Sequence, residues 1–185
     1  MILWINGPFG GGKSTTAPLL RDLLPGSVVF DPEKVGGAIA PTLGDVFPVR
    51  DFQDYPPWRE LVVASLASLH RFAERTIIAP QTVVVERYWD EISAGLDAAG
   101  ISVHAFTLDC TPEEHERRIV TDAKMPNSLW RRERAAEFRR AHAWLSRRTE
   151  VIDTTVLTPA EVANSIATTL AESGTAAPPC SSAGF

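Results

Sequence analysis

The sequence is poor in the residues that mark secreted, membrane-spanning and metal-binding proteins. Its 185 residues include two cysteines, Cys110 and Cys180, which argues against a disulfide framework and favours a reducing, cytoplasmic compartment. No apolar run approaches the length of a membrane span, so we expect none. The first predicted strand begins at residue 2, so we also expect no signal peptide. Four histidines occur without the spacing of metal ligands.

Basic charge is scarce and unevenly distributed. The formal net charge is −5 at pH 7, which argues against a general affinity for nucleic acid. Lysine occurs only three times, so fifteen of the 18 basic residues are arginines. Seven of these arginines lie between residues 131 and 148, and they are Arg131, Arg132, Arg134, Arg139, Arg140, Arg147 and Arg148.

What the sequence does contain is a phosphate-binding loop, residues 7–14, directly after the apolar run 2–5. The loop matches the pattern G-x-x-x-x-G-K-[ST] at every fixed position. Its glycines allow backbone N–H groups to turn inward around a phosphate, and the helix that starts near Lys13 directs its positive dipole end at the same anion. Lys13 supplies a cation for the β- and γ-phosphates, and the Ser14 hydroxyl can bind Mg²⁺. The motif predicts binding of a nucleoside triphosphate with Mg²⁺.

Apolar segments that read as strands alternate with helical patterns along the chain. The predicted strands are residues 2–5, 27–30, 76–80, 101–108 and 151–153, and residues 82–86 compete with 76–80 for the third position. Such alternation predicts an α/β fold with a five-stranded parallel sheet covered on both faces. Residues 1–172 are therefore expected to form one three-layer α/β/α domain, similar to P-loop nucleoside kinases.

Helix boundaries are marked by capping residues and by proline and glycine. Thr111 and Thr158 are each followed by a proline and, three residues after the threonine, by a glutamate. Each threonine is therefore predicted to cap the start of a helix. Pro18 is expected to bend the first helix or cost it a hydrogen bond, and Leu19, Leu20, Leu23 and Leu24 to form its apolar side. The Gly- and Pro-rich residues 35–57 are predicted to contain no long element. Residues 124–148 are expected to form a helical lid, and residues 173–185 a disordered tail.

Blocks of residues from residue 1 to about residue 170 resemble the tunicamycin-resistance ATP-binding proteins. The matching blocks are residues 4–7, 9–10, 12–13, 16–17, 31–34, 36, 51–53, 55–56 and 58–59, with later anchors at Pro80, Thr82, Tyr88, 91–92, 106–108, 127–128 and Trp130. The blocks at 31–34 and 51–59 are much more specific than the phosphate-binding loop, which many proteins share.

The resemblance implies an ATP-binding protein that protects a bacterium against tunicamycin, a uracil nucleoside with amino sugars and a fatty acyl chain. Its similarity to nucleoside monophosphate kinases and antibiotic phosphotransferases suggests that the drug is phosphorylated. Two departures matter. The amphipathic C-terminal segment of some members is missing, so membrane attachment is not carried over. Asp122 stands where related kinases often have an arginine.

Asp31 is the first choice for a general base or a Mg²⁺ ligand, by family analogy. The alternative is an Asp-Pro turn residue that caps the next helix. Arg59 is predicted to point away from the apolar face of its helix, whereas Trp58 lies on that face and is as well explained by the core. Arg131 and Arg132 are candidates for the lid, and Arg117 and Arg118 for the nucleotide.

The predicted site residues fall into four groups. The predicted catalytic residues are Lys13, Asp31 and Arg131. The predicted nucleotide-binding residues are Gly7, Phe9, Gly10, Gly11, Gly12, Lys13, Ser14, Thr15 and Arg118. The predicted residues for the small-molecule substrate are Asp31, Glu33, Asp51, Phe52, Gln53, Tyr55, Arg59 and Thr82. The predicted metal ligands are Ser14 and Asp31.

Three functions stay open at this point. The first is an ATP-dependent phosphotransferase that acts on tunicamycin or a related nucleoside. The second is a protein that binds the drug without catalysis. A carboxylate that would help to bind Mg²⁺ is not found at the end of the predicted third strand, where Gln81 and Thr82 are neutral. Glu86 would supply this carboxylate only if residues 82–86 formed the strand. The third is a nucleotide or nucleic-acid kinase, which the arginine-rich stretch would favour.

Overall fold

The structure is a computed structural model that describes residues 1–123 and 125–174. One sheet of five strands lies at its centre. The strands are β1 (Ile2–Asn6), β2 (Val28–Val29), β3 (Ile77–Pro80), β4 (Val103–Asp109) and β5 (Glu150–Asp153). They lie in the order β2-β3-β1-β4-β5, and every neighbouring pair is parallel. The predicted five-stranded parallel sheet is confirmed.

Helices connect successive strands and cover both faces of the sheet. Those in the described residues are α1 (Lys13–Leu23), α2 (Glu33–Leu43), α3 (Pro56–Ala73), α4 (Glu86–Ala98), α5 (Pro112–Thr121), α6 (Leu129–Arg148) and α7 (Pro159–Glu172), with a 3₁₀ turn at Phe52–Asp54. In none of the described helices does an apolar stretch reach the length needed to cross a membrane.

Strand β1 shows why the domain has three layers. Its side chains are fully buried and alternate between two separate cores. Ile2 and Trp4 belong to the core with α3, α4 and α6, whereas Leu3 and Ile5 belong to the core with α1 and α7. A strand that is apolar on both faces is typical of a parallel sheet covered on both sides, so the predicted three-layer fold is confirmed.

The capping residues act as the sequence predicts. The Thr111 side chain accepts a hydrogen bond from the Glu114 N–H at the start of α5, and Thr158 and Glu161 form a complete capping box at α7. The register of β3 is also as expected, since Ile5 pairs with Pro80. Residues 83–85 are not a strand, so the alternative assignment is excluded.

Helix α2 corrects the prediction that residues 35–57 contain no long element. Its glycines and Pro41 lower helix propensity, but tertiary packing stabilises it. Gly36 is buried against the Phe52 ring, where a Cβ would lie 2.6 Å from ring carbons, and Ile39 enters the core. The Trp58 indole N–H donates to the Pro32 carbonyl at the start of the same helix. Packing therefore outweighs propensity here.

The predicted apolar side of α1 is partly wrong. Leu19 and Leu23 are 37% and 42% exposed, whereas Thr16, Ala17 and Leu20 are buried. The close packing of α1 on α7 favours the small residues Thr16 and Ala17. Pro18 lies inside α1, as predicted. Lys124, Cys180 and the predicted tail beyond Gly174 lie outside the described residues, and the domain and lid boundaries stay predictions.

Candidate nucleotide and acceptor sites

The phosphate-binding loop joins the end of β1 to the start of α1. Gly10 and Gly12 have φ values of 81° and 94°, which side chains rarely adopt. Gly7 packs so closely on β4 that a Cβ would lie 2.8 Å from the Leu108 carbonyl oxygen. The first N–H groups of α1 have no partner within the helix. The loop therefore presents free backbone donors at a positive helix end, as a phosphate requires.

Lys13 is buried at the inner side of this loop. Its Nζ donates hydrogen bonds to the carbonyl oxygens of Gly7 at 2.8 Å and Pro8 at 2.9 Å. Burial lowers the Lys13 pKa to about 8, although the charge of Glu33 opposes this shift. The ammonium can exchange these two carbonyls for phosphate oxygens, because neither partner is a carboxylate.

Three side chains that hold the loop complete its geometry. The Asn6 Oδ1 accepts from the N–H groups of Gly7 and Val83, and its Nδ2 donates to the Val83 carbonyl. The Thr82 hydroxyl donates to the Gly7 carbonyl at 2.6 Å. His115 Nε2 lies 2.8 Å from the Phe9 carbonyl oxygen. Asn6 and His115 were not predicted, although an asparagine that ends an apolar strand just before Gly7 is a usable signal.

The structure contains cavities of about 380 Å³ and about 350 Å³, and of these two the smaller is lined by residues of the loop. The smaller cavity, called here the nucleotide side, is lined by Gly10–Gly12, Arg118 and the turn after β5. Arg118 donates to Thr154 Oγ1 at 3.0 Å, to the Thr154 carbonyl and to Glu114. Hydrogen bonds from Arg117 and Arg118 lower the Glu114 pKa to about 2. Arg118 thus ties α5 to the β5–α7 turn beside the loop.

Asp31 and Glu33 lie where β2 leads into α2. Asp31 Oδ1 accepts from the Glu33 N–H at 3.0 Å, so the turn-capping bond that was weighed as an alternative exists. One Asp31 oxygen remains for other contacts. Partial burial raises the Glu33 pKa, and the charges of Asp31 and Asp51 add to the rise while Lys13 opposes it. These four charges therefore lie close enough to interact in one cleft.

The larger cavity, called here the acceptor side, lies between the 50–54 segment, residues 84–88 and α6. Its wall combines the aromatic side chains Tyr88 and Trp144 with charges of both signs. The charged residues are Arg50, Asp51, Asp54, Glu86, Arg134, Glu137 and Arg140. Gln53 lines it too, and its Nε2 donates to the Thr82 carbonyl at 3.0 Å.

Several residues predicted to contact substrate make contacts within the scaffold. Phe52 packs on Gly36 and lies 5.3 Å from Trp58 between ring centroids, and Trp58 is fully buried. The Tyr55 hydroxyl donates to the Phe47 carbonyl at 2.7 Å. None of these aromatic residues borders either cavity described above.

The prediction that Arg59 points away from the buried face is wrong, since the residue is only 4% exposed. Its guanidinium donates to the Gln53 carbonyl at 2.5 Å and pairs with Glu91. It also stacks over Tyr88, with 4.2 Å between Cζ and the ring centroid. Sequence patterns assign charged residues to the exposed face of a helix. Here a carboxylate and a carbonyl compensate the charge of the buried arginine. Arg59 thus stabilises the position of Tyr88, which lines the acceptor side.

Helix α6 begins above the phosphate-binding loop. The Trp130 ring lies 4.5 Å from the Phe9 ring between centroids. Arg131 Nη1 is 2.5 Å from Asp122 Oδ2, so the aspartate that departs from related kinases holds the predicted lid arginine. Arg132 pairs with Glu116 at 2.5 Å.

Arg134 was not singled out from the sequence, yet it lines the acceptor side. Its Nη1 donates to Glu137 at 2.7 Å and lies 3.4 Å from Asp51. Its Nε is buried without a hydrogen-bond partner in the described part of the chain. Nothing in the sequence distinguishes Arg134 from the other arginines of residues 131–148.

The oxygen atoms of Ser14 and Asp31 are suitable ligands for a magnesium ion that arrives with a nucleotide. Among residues 1–123 and 125–174 no three acidic, histidine or cysteine side chains form a cluster that could hold a metal by themselves. The exposed Ser14 hydroxyl at the start of α1 and the remaining Asp31 oxygen are hard oxygen donors, which Mg²⁺ prefers together with phosphate oxygens and water. Glu86 starts α4 and lines the acceptor side, so it does not end a strand.

Comparison with solved structures places the chain among small-molecule kinases by fold. A sugar kinase from Janibacter sp. HTCC2649 is 21% identical, with a TM-score of 0.67 and coverage of 95% of this chain and 96% of that one. Shikimate kinase from Aquifex aeolicus is 17% identical, with a TM-score of 0.63 and coverage of 96% and 100%. At these identities the likeness concerns the fold alone. No family model and no curated protein matches the sequence.

The tunicamycin resistance protein of Deinococcus radiodurans is more similar. It is 35% identical to this chain, with a TM-score of 0.71, and the match covers 96% of this chain and 98% of that protein. The resemblance that the sequence blocks indicate is thereby confirmed. The chain belongs to the family of this tunicamycin resistance protein.

Proposed function

We propose that this protein transfers the γ-phosphoryl group of ATP to a hydroxyl group of tunicamycin or a related uracil nucleoside. The observation that carries the proposal is a chain of hydrogen bonds across the cleft. The Thr82 hydroxyl binds the Gly7 carbonyl of the loop, and the Thr82 carbonyl accepts from Gln53 in the wall of the acceptor side. Thr82 thus links the phosphate-binding loop to the wall of the acceptor cavity.

We propose the following roles for the residues. The acceptor oxygen attacks the γ-phosphorus, the bond to the β-phosphate oxygen breaks and ADP leaves, while the hydroxyl proton passes to Asp31. Lys13 and the loop N–H groups stabilise the charge on the transferred group. Mg²⁺ would neutralise phosphate charge when it is bound. Ser14 would hold it directly and Asp31 would hold one of its waters, so that the free Asp31 oxygen can accept the proton. Arg131 is the proposed lid arginine, and Arg118 is proposed to support the nucleotide.

The acceptor side favours a polar molecule without net charge. Arg50 and Arg134 already pair with Glu137, at 2.8 Å and 2.7 Å. An acceptor with its own phosphate would have to displace these carboxylates, which costs their charge-assisted hydrogen bonds. Tyr88 and Trp144 offer aromatic surface for a base. A nucleoside satisfies both features, and the D. radiodurans relative is named for resistance to a nucleoside drug.

Two alternatives are weaker. Sequestration of the drug without catalysis is favoured by Gln81, because a buried neutral residue follows β3 where a carboxylate would help to bind Mg²⁺. A nucleic-acid kinase is disfavoured, because the α6 arginines Arg131, Arg132 and Arg148 pair with carboxylates and the net charge is negative.

The test is incubation of the purified protein with ATP, Mg²⁺ and tunicamycin, followed by mass spectrometry of the drug. We expect a mass gain of one phosphate that disappears in Lys13→Ala. The matched control is Lys34→Ala, which removes an exposed lysine from α2 and should keep activity. An unmodified drug that still binds would support sequestration, and full activity of Lys13→Ala would contradict phosphoryl transfer by this loop.

A further inference from the structure

A buried histidine of α5 contacts the phosphate-binding loop. His115 is 4% exposed, and its Nε2 lies 2.8 Å from the Phe9 carbonyl oxygen. Because a carbonyl oxygen can only accept, Nε2 carries the hydrogen and donates it. Burial lowers the pKa of His115, although its bond to Phe9 opposes the shift. An apolar side chain would fill this position without the cost of desolvating an imidazole, so the contact with the loop requires an explanation.

The Phe9 carbonyl belongs to the central peptide of a β-turn. Residues 8–11 form this turn, in which the Gly11 N–H donates to the Pro8 carbonyl at 2.9 Å. Phe9 is not among the residues with positive φ, whereas Gly10 has a φ of 81°. A positive φ confined to the third residue is typical of a type II turn.

A glycine at the third position allows this turn in two forms. Types I and II have the same closing hydrogen bond but differ in the orientation of the central peptide. Glycine adopts positive and negative φ about equally readily, so the loop residues by themselves do not select one form. His115 favours type II, because its N–H meets the Phe9 carbonyl in that form. In type I the peptide is turned over, and the His115 N–H would face another N–H.

The orientation of this peptide decides what the loop presents to a nucleotide. The peptide is trans, and in a trans peptide the C=O and N–H groups point in opposite directions. With the carbonyl bound to His115, the Gly10 N–H points away from that residue. It has no hydrogen-bond partner in the described part of the chain, and Gly10 is exposed in the wall of the nucleotide side. In the type I form a carbonyl oxygen, which repels phosphate, would replace this donor.

We propose that His115 is a positioning residue for nucleotide binding, which holds the central peptide of the 8–11 turn so that the Gly10 N–H donates to a phosphate oxygen. His115 acts through the loop rather than by contact with the nucleotide. This inference rests on the nucleotide-binding part of the proposed function and is independent of the acceptor. Helix α5 then supports the nucleotide side twice, through Arg118 at the β5–α7 turn and through His115 at the loop.

The test is binding of ADP with Mg²⁺, measured by calorimetry. His115→Leu removes the donor, and His115→Gln restores an N–H on a side chain that can reach the Phe9 carbonyl. The matched control is His104→Leu, because His104 bonds Glu150 at 3.0 Å near the start of β4, whereas the end of β4 packs on the loop. Thermal unfolding checks that each variant remains folded.

We expect His115→Leu to weaken ADP binding roughly tenfold, which is about the contribution of one hydrogen bond to a charged group. His115→Gln should recover most of the affinity, and His104→Leu should not change it. Unaltered affinity of His115→Leu, or an equal loss in His115→Gln, would overturn the inference.

A spectroscopic measurement follows the Gly10 N–H itself. In protein labelled with ¹⁵N-glycine, the Gly10 amide signal is identified by its absence in Gly10→Ala. We expect saturating ADP to shift this signal in the unchanged protein and in His115→Gln, but much less in His115→Leu. A shift of equal size in His115→Leu would show that the histidine does not position this N–H and would overturn the inference.

Gly10→Ala tests the same peptide if His115→Leu does not fold. A Cβ at Gly10 would lie 3.9 Å from the Arg118 Cβ, which is an ordinary contact. The substitution therefore disfavours the type II form through φ alone. We expect it to weaken ADP binding by a similar factor, and full affinity of Gly10→Ala would overturn the inference.

The inference and the proposed function fail separately. Weaker ADP binding in His115→Leu, without phosphate transfer to tunicamycin by the unchanged protein, refutes only the proposed function. Phosphate transfer by the unchanged protein, together with full ADP affinity of His115→Leu, refutes only the inference. Absence of ADP binding by the unchanged protein refutes both.

Discussion

The nucleotide side and the acceptor side of this protein are bounded by different kinds of contact. On the nucleotide side, backbone conformation dominates, with left-handed glycines and the start of α1. On the acceptor side, ion pairs between segments far apart in the chain dominate, such as Arg50 with Glu137 and Arg134 with Asp51. A local motif can specify the first side, whereas the second exists only after the chain has folded.

Substitution of Asp31, which lies where β2 leads into α2, should have the largest effect. Asp31→Asn keeps an oxygen to accept from the Glu33 N–H but removes the proton acceptor, so we expect turnover to fall by roughly 10²- to 10⁴-fold. Binding of ATP and of the acceptor should be retained. Asp45→Asn, in an exposed turn, is the control. Steady-state kinetics with both substrates measure the change, and unaltered kcat would exclude Asp31 as the base.

Gly36 and Gly37 form a matched pair that tests how the acceptor side is supported. A Cβ at Gly36 would meet the Phe52 ring at 2.6 Å, whereas one at Gly37 meets nothing within 4 Å. We expect Gly36→Ala to lower the free energy of unfolding by about 1–3 kcal/mol and to raise KM for the acceptor more than KM for ATP. Gly37→Ala should stabilise α2 by at most about 1 kcal/mol. Denaturant titration of both variants measures this, and equal effects would refute the packing argument.

Arg117 and Arg118 form the corresponding pair on the nucleotide side. Both bind Glu114, but only Arg118 reaches Thr154. We expect Arg118→Ala to raise KM for ATP roughly tenfold through loss of charge-assisted hydrogen bonds. Arg117 borders the same cavity, but its side chain is 63% exposed and binds Glu114 rather than Thr154, so Arg117→Ala should raise KM for ATP less than Arg118→Ala does. If Arg118→Ala instead raised only the acceptor KM, the assignment of the two sides would be reversed.

A further prediction concerns pH. Burial lowers the Lys13 pKa from 10.5 to about 8 in the free protein, and a bound phosphate should raise it again. Above pH 8 the free lysine is increasingly neutral, so nucleotide binding must take up a proton and weakens by up to about tenfold per pH unit. Calorimetry in buffers of different ionisation enthalpy measures the uptake. Lys13→Ala should show none, and pH-independent affinity of the unchanged protein from pH 7 to 9.5 would contradict this assignment.

The elements that the sequence predicted correctly are those with local causes. The loop, the caps at Thr111 and Thr158 and the alternation of strands and helices depend on residues within a few positions of one another. Helix α2 was missed because its stability comes from Phe52, Trp58 and the core rather than from its own residues. Arg59 was misjudged because its partner Glu91 is 32 residues away.

The contrast between local causes and contacts of distant segments also applies to the candidate site. The sequence by itself determined that a phosphate-binding loop follows the first strand, because glycine φ angles and helix ends act locally. The spacing in the chain could not show that Thr82 and Gln53 connect this loop to the acceptor side. Nor could it select Arg134 from seven similar arginines. Only the tertiary structure decided these points, because burial and charge pairing depend on which distant segments the parallel sheet brings together.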